Sequence, residues 1–138
     1  MICKMTHTTL FVRNQEEAKK FYTEKLGFEV RDDQTMGDFR WLTVGPKGQP
    51  DLRIVLLEPK PGPMLDEEAA GHLRALLDKG LLGAGVFEAD DCRATYEELS
   101  RKGVEFAGPP QERFYGIEAI MKDGCGNWFS MTQPTGED

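Results

Sequence analysis

Histidine is scarce in this chain, with two among 138 residues, and only three cysteines occur. So few imidazoles leave little for a histidine-rich metal centre. Cys3, Cys92 and Cys125 lack the C-x-x-C spacing that holds zinc or runs thiol–disulfide exchange. An odd, scattered set of thiols is expected to stay reduced, in a reducing compartment. No apolar run approaches the ~18 residues that mark a bilayer span, and no signal-peptide pattern opens the sequence. The expected location is therefore cytoplasmic, with no membrane as partner. Basic residues are in deficit, 17 Lys and Arg against 24 Asp and Glu, for a net charge of −7. With no basic stripe to offset it, nucleic acid is not expected as a partner. There is no G-x-S-x-G elbow, and Gly124-x-Gly126 leads into a strand rather than a helix, so it is not a phosphate loop.

What is present is an ordinary globular composition, 39% hydrophobic and 30% charged. The chain reads as one domain over residues 1–138, long enough to bury a core. A pattern recurs within it after roughly 75 residues, the period of a duplicated half-domain rather than of a short solenoid repeat. Module one covers about 1–60, a connector about 61–82, and module two about 83–134. In module one, residues 5–13 alternate as a strand. Asn14 caps a helix with Glu16 and Glu17 in its first turn, Ala18, Phe21, Tyr22 and Leu26 recur at helical spacing, and Gly27 ends it. Strands follow near 28–33, 38–45 and 51–58, separated by Gly37 and the Gly45-Pro46-Lys47-Gly48 turn. The connector carries an amphipathic helix over about 66–79. Module two gives a strand over 84–90, a helix capped by Asp90 or Asp91 running to Lys102, and strands near 104–107, 116–122 and 127–133. The final Pro134-Thr-Gly-Glu-Asp is expected to fray. The fold class is α+β, built of two βαβββ modules.

Side chains that carry chemistry are few. His7 lies in the first strand, and Glu58 closes an apolar strand, where a carboxylate is costly to bury unless it is paired, hydrogen-bonded or bound to a cation. The residues alone leave several readings open: a His–Glu hydrogen bond in a core, an exposed strand end, or part of a ligand set for Zn²⁺, Ni²⁺, Fe²⁺ or Mn²⁺. Cys92 sits at a helix N-terminus, a position that lowers a thiol pKa. His72 lies in the connector helix and reads as a surface or packing residue. Phe39, Trp41, Phe114, Tyr115 and Trp128 are either core or candidates for stacking against a flat ligand.

Several features together resemble the vicinal oxygen chelate superfamily, the group of glyoxalase I, bleomycin-resistance proteins and extradiol dioxygenases. They are the His7–x4–Val12-Arg13-Asn14 opening, Phe21-Tyr22–x3–Leu26-Gly27-Phe28, Arg113-Phe114-Tyr115-Gly116 and Asp123–x2–Gly126-Asn127, in that order across both modules. The resemblance implies curved mixed sheets enclosing a cavity. It also implies a metal slot on the first and last strand of each module, which in this sequence fall on His7, Glu58, Ala84 and Ser130. Two of the four are not usual metal ligands, and catalytic sites normally have at least three. The expectation is accordingly a small-molecule binder of the bleomycin-resistance type, with no cofactor, holding a hydrophobic or aromatic ligand against Phe39, Trp41, Ala84, Phe114, Tyr115, Trp128 and Ser130. The alternative is a divalent-metal lyase, isomerase or dioxygenase in which His7 and Glu58 bind the metal and Glu58 acts as base. A homodimer is expected in either case, because small curved sheets leave edges to cover.

Overall fold

Both halves of the chain trace one topology. In the computed structural model, which describes residues 1–136, module one runs β1 (His7–Phe11), α1 (Gln15–Lys20), β2 (Glu29–Met36), β3 (Phe39–Gly45) and β4 (Arg53–Leu57). The connector forms α2 (Glu67–Asp78). Module two runs β5 (Leu82–Glu88), α3 (Cys92–Arg101), β6 (Glu105–Phe106), β7 (Gln111–Arg113), β8 (Gly116–Lys122) and β9 (Asn127–Pro134). Sheet one is ordered β1-β4-β3-β2 and sheet two β5-β9-β8-β6, with the short β7 on β8. The equivalent pairs β1/β4 and β5/β9 are parallel and the remaining pairs antiparallel. The α+β fold of two βαβββ modules is thus as expected.

Local sequence sets the helix ends. Asn14, Asp66 and Asp91 each accept a bond from the backbone N–H three residues on, at 2.8, 2.8 and 3.0 Å. Of the two aspartates proposed for α3, Asp91 is therefore the cap. After Lys20 the first helix widens into a π-helical turn, Phe21–Lys25, closed by Leu26 N–H on the Phe21 carbonyl at 3.3 Å. Gly27 then takes φ +74°, a conformation other residues adopt only with strain. His72 is exposed, as expected of a surface residue. Pro134 ends β9, and Thr135 N–H still bonds the Tyr115 carbonyl. The expected fraying of Glu137 and Asp138 lies outside the described residues.

One core joins the modules through the helix-covered face of each sheet. Leu10, Leu42, Val44, Ile54 and Leu56 from sheet one cluster with Ala119, Met121, Phe129 and Met131 from sheet two, around Ala18 and Tyr22 of the first helix. Phe28, Phe87 and Phe129 extend it as an aromatic series with centroids 5.5 and 4.4 Å apart. The polar centre of this junction is Asp123, fully buried in the turn before β9. Its carboxylate accepts from Tyr22 OH at 2.6 Å, Cys125 N–H at 2.7 Å, and Asn127 through backbone N–H at 2.9 Å and Nδ2 at 3.0 Å. A buried charge is tolerated only when its lone pairs are filled in this way. Burial and the neighbouring carboxylate push the Tyr22 hydroxyl well above its ordinary pKa, so it remains a donor. Cys92 is a correction to the sequence reading. It is fully buried, and burial raises its thiol pKa instead of the helix terminus lowering it. Burial likewise pushes Cys125 up to about 12.

Candidate functional site

Side chains alternate across a strand, so the residues between those in the core line the opposite face of each sheet. On sheet one, the register aligns Thr9, Val55, Thr43 and Asp32 in one cross-strand row, with His7 beside Arg53. The floor of this face, Thr43 and Val55, is buried, whereas His7, Thr9 and Met36 are exposed. Asp32 stands over the floor, accepting from Thr43 Oγ1 at 2.6 Å and Arg53 Nε at 3.1 Å. The Thr43 hydrogen bond, then Arg53, holds its carboxyl below the usual range. Trp41 bridges His7 and Phe39, with ring centroids at 6.0 and 6.4 Å. Phe39 is 47% exposed, so both aromatics belong to this open face and not to the core.

Sheet two has the same open side, with Trp128, Ser130 and Thr132 of β9 along its middle. Trp128 is 37% exposed, and its indole lies across Gly83 of β5, where a Cβ would stand 2.6 Å from its ring. The room for this side chain comes from Gly83. Ala84, expected to provide open space, is exposed but sits at a register break, and Val86 instead stands opposite Ser130. Ser130 is buried and engaged: its hydroxyl donates to Glu118 Oε2 at 2.5 Å and lies 2.7 Å from Thr132 Oγ1. Tyr115 OH donates to the other Glu118 oxygen at 2.5 Å. Phe114, at 94% exposure, packs edge-on against the Tyr115 ring at 5.0 Å.

The structure does not bring the proposed metal ligands together. His7 pairs with Arg53 across the parallel β1/β4 ladder, while Glu58 lies five residues further on, about 16 Å of strand. Glu58 shares the parity of Ile54 and Leu56, on the helix-covered side. There it accepts the Gln15 backbone N–H at the start of α1 at 2.9 Å and pairs with Lys60 at 3.5 Å. The carboxylate that closes an apolar strand thus satisfies an orphan donor of a helix N-terminus. His7 Nδ1 bonds Thr6 Oγ1 at 2.7 Å, and the residue beside it across the ladder is Arg53, whose guanidinium bonds Asp32. Among the described residues, no three His, Cys, Asp or Glu side chains converge as a metal site requires.

A groove of about 680 Å³ opens at the end of sheet one, between the β2–β3 turn and the connector. Phe11, Leu57, Met36, Phe39, Met64 and Leu65 form its apolar walls. Its size is within the range of small-molecule sites, and Phe11 and Leu57 make it continuous with the open face that carries Trp41. Of the expected ligand-binding residues, then, Phe39 and Trp41 gather on sheet one, and Trp128, Ser130 and Tyr115 on sheet two. Asp32, Arg53 and Gly83 are the neighbours that sequence reasoning missed, and the clamp on Glu118 is visible only in the fold.

Comparison with known proteins agrees with this architecture. Residues 4–131 match the Glyoxalase/Bleomycin resistance protein/Dioxygenase superfamily. The chain is 49% identical to UcmS2, whose crystal structure superposes with a TM-score of 0.88 over 96% of this chain and 98% of that one. TnmS3, an antibiotic binding protein from Streptomyces sp. CB03234, is 30% identical with a TM-score of 0.75, over 97% and 98% of the two chains. The uncharacterized protein YurT of Bacillus subtilis (strain 168) is 35% identical over 94% of this chain and 98% of its own length. No helix among the described residues is long and apolar enough to cross a membrane. With the paired modules, their strand order and these matches in agreement, the chain belongs to the glyoxalase/bleomycin resistance protein/dioxygenase superfamily.

Proposed function

We propose that this protein binds a hydrophobic or aromatic small molecule without a metal ion. It does so as a cytoplasmic homodimer, in which the open face of sheet one in one chain is closed over the ligand by sheet two of its partner. The observation that carries this reading is that each open face bears one of the chain's two tryptophans, Trp41 and Trp128, amid exposed apolar side chains. Met36 is 62% exposed, Phe39 47% and Val86 70%, on sheet faces with no helix over them. Contiguous apolar exposure of this kind marks a binding surface, and a flat ligand between two aromatic walls would bury it. The antibiotic binding of TnmS3, 30% identical over nearly the whole chain, supports a small-molecule ligand. Metal independence is supported by the register, which sets Arg53, not a usual metal ligand, beside His7. Free cysteines are in keeping with a reducing compartment. The metalloenzyme reading needs His7 and Glu58 at one ion, and their placement on opposite sides of sheet one does not favour it.

Protein incubated with Zn²⁺, Ni²⁺, Fe²⁺ or Mn²⁺ and dialysed exhaustively against metal-free buffer, then subjected to elemental analysis, sedimentation equilibrium and a thermal-shift screen of polycyclic aromatics, tests this reading. The expected result is a metal-free dimer whose melting temperature rises with at least one compound. One tightly held ion per chain, lost in His7→Ala, would replace it with the metalloenzyme.

A further inference from the structure

The open face of sheet two is graded along its strands. The register fixes three cross-strand rows: Gly83–Trp128–Lys122, then Val86–Ser130–Ile120, then Glu88–Thr132–Glu118. One end carries Trp128 with Lys122 beside it, the middle is aliphatic apart from the engaged Ser130, and the far end carries carboxylates. Glu118 is the fixed one, its side chain only 16% exposed and each oxygen clamped by a hydroxyl, Ser130 on one and Tyr115 on the other. Hydroxyl donors stabilise the ionised form but leave its charge unneutralised. The nearest cation, Arg113, is half exposed with Nε 3.8 Å away. Asp32 on sheet one differs, because Arg53 bonds it directly at 3.1 Å. Each Glu118 oxygen also retains acceptor capacity beyond its one hydroxyl.

We propose that Glu118 is a specificity-determining residue which receives a protonated amine of the ligand, while the aromatic part of the ligand lies on Trp128. This inference rests on the binding reading above and gives the ligand both a chemical class and an orientation. Trp128 and Thr132 are four residues apart on β9, about 13 Å, so the ammonium stands at the end of a tether and not on the ring itself. Tyr115, bonded to Glu118, offers an aromatic face beside the same position, suited to a cation–π contact.

The test uses two anthracenes that differ only at the end of an alkyl ether tether, ammonium in one and hydroxyl in the other. Their affinities are measured by tryptophan quenching at fixed ionic strength. The intact protein is expected to prefer the ammonium probe by about tenfold, the scale of one charge-assisted contact. Glu118→Gln, of nearly the same shape, should bring the preference to within about twofold. Arg113→Ala, which removes the competing guanidinium, should raise the preference. An undiminished preference in Glu118→Gln at an unchanged melting temperature would overturn the proposal, as would equal affinities in the intact protein. Binding of neither probe would overturn the binding reading itself and this inference with it.

Discussion

The two sheets of this protein are alike on the faces they bury and different on the faces they leave open. Their helix-covered sides contribute interchangeable aliphatic and aromatic side chains to one core, and both keep the same strand order. On the open sides, sheet one sets Asp32 against Arg53 beside a half-exposed tryptophan and a large apolar groove. Sheet two sets Glu118 among hydroxyls beside a tryptophan laid over a glycine. A duplicated module thus keeps the residues that pay for folding and diverges where packing makes no demand. Function in such a fold is carried by sites placed on the scaffold, not by the scaffold.

The largest expected effect comes from uncoupling the sheets. Asp123→Ala would leave Tyr22 OH, two backbone N–H groups and the Asn127 amide without their shared acceptor, at a cost of about 3–5 kcal/mol in urea unfolding. Tyr22→Phe removes one donor of the four and should cost about 1–3 kcal/mol. Loss well below these values would mean that the junction is held by the apolar cluster alone.

Trp128→Ala and Trp41→Ala compare the open faces directly. Each is expected to weaken binding of an aromatic ligand by about tenfold or more with little change in melting temperature, since neither ring is in the core. Gly83→Ala should act in the same direction as Trp128→Ala by displacing the indole, without deleting any aromatic surface. His7→Ala, on the same face as Trp41 but facing Arg53, should change affinity by less than about threefold.

The smallest effect is on pH dependence. Asp32, Asp33 and Glu118 are all held below ordinary carboxyl values, chiefly by side-chain hydrogen bonds: Thr43 to Asp32, Arg40 to Asp33, Ser130 to Glu118. A depressed folded-state pKa contributes stability that is fully present above the unfolded value, about 4, and is lost as pH falls through the folded one. Thermal melts should therefore be flat with respect to these groups near neutrality and decline below about pH 4. Asp33→Asn should soften that decline on sheet one, and Glu118→Gln on sheet two.

Much of the scaffold was legible because its signals are local. The caps at Asn14, Asp66 and Asp91, the positive-φ Gly27 and the apolar alternation of β8 lie within a few residues of what they control. β7 was not legible, since Gln111-Glu112-Arg113 has no apolar alternation and exists only as a short edge on β8. The site was less legible for the same physical reason on a larger scale. Register and sheet parity decide what meets His7: the family resemblance implied Glu58 as its partner in a metal slot, and the ladder sets Arg53 there. Ala84 and Gly83 differ by one position, yet the bulge gives the glycine to Trp128. Glu118 acquires its clamp from Ser130 and Tyr115 only when β8 and β9 pair and the loop before β8 folds over.

The most direct test of the central claim, that both open faces hold one ligand without metal, uses the chain's own tryptophans. Trp41→Phe leaves Trp128 to report on sheet two, and Trp128→Phe leaves Trp41 to report on sheet one. Titrating EDTA-dialysed samples of each with 9-anthracenemethanol should quench both emissions over one concentration range, with dissociation constants within about threefold of each other. Quenching of one tryptophan alone, or quenching that appears only after a divalent metal is added, would contradict the account.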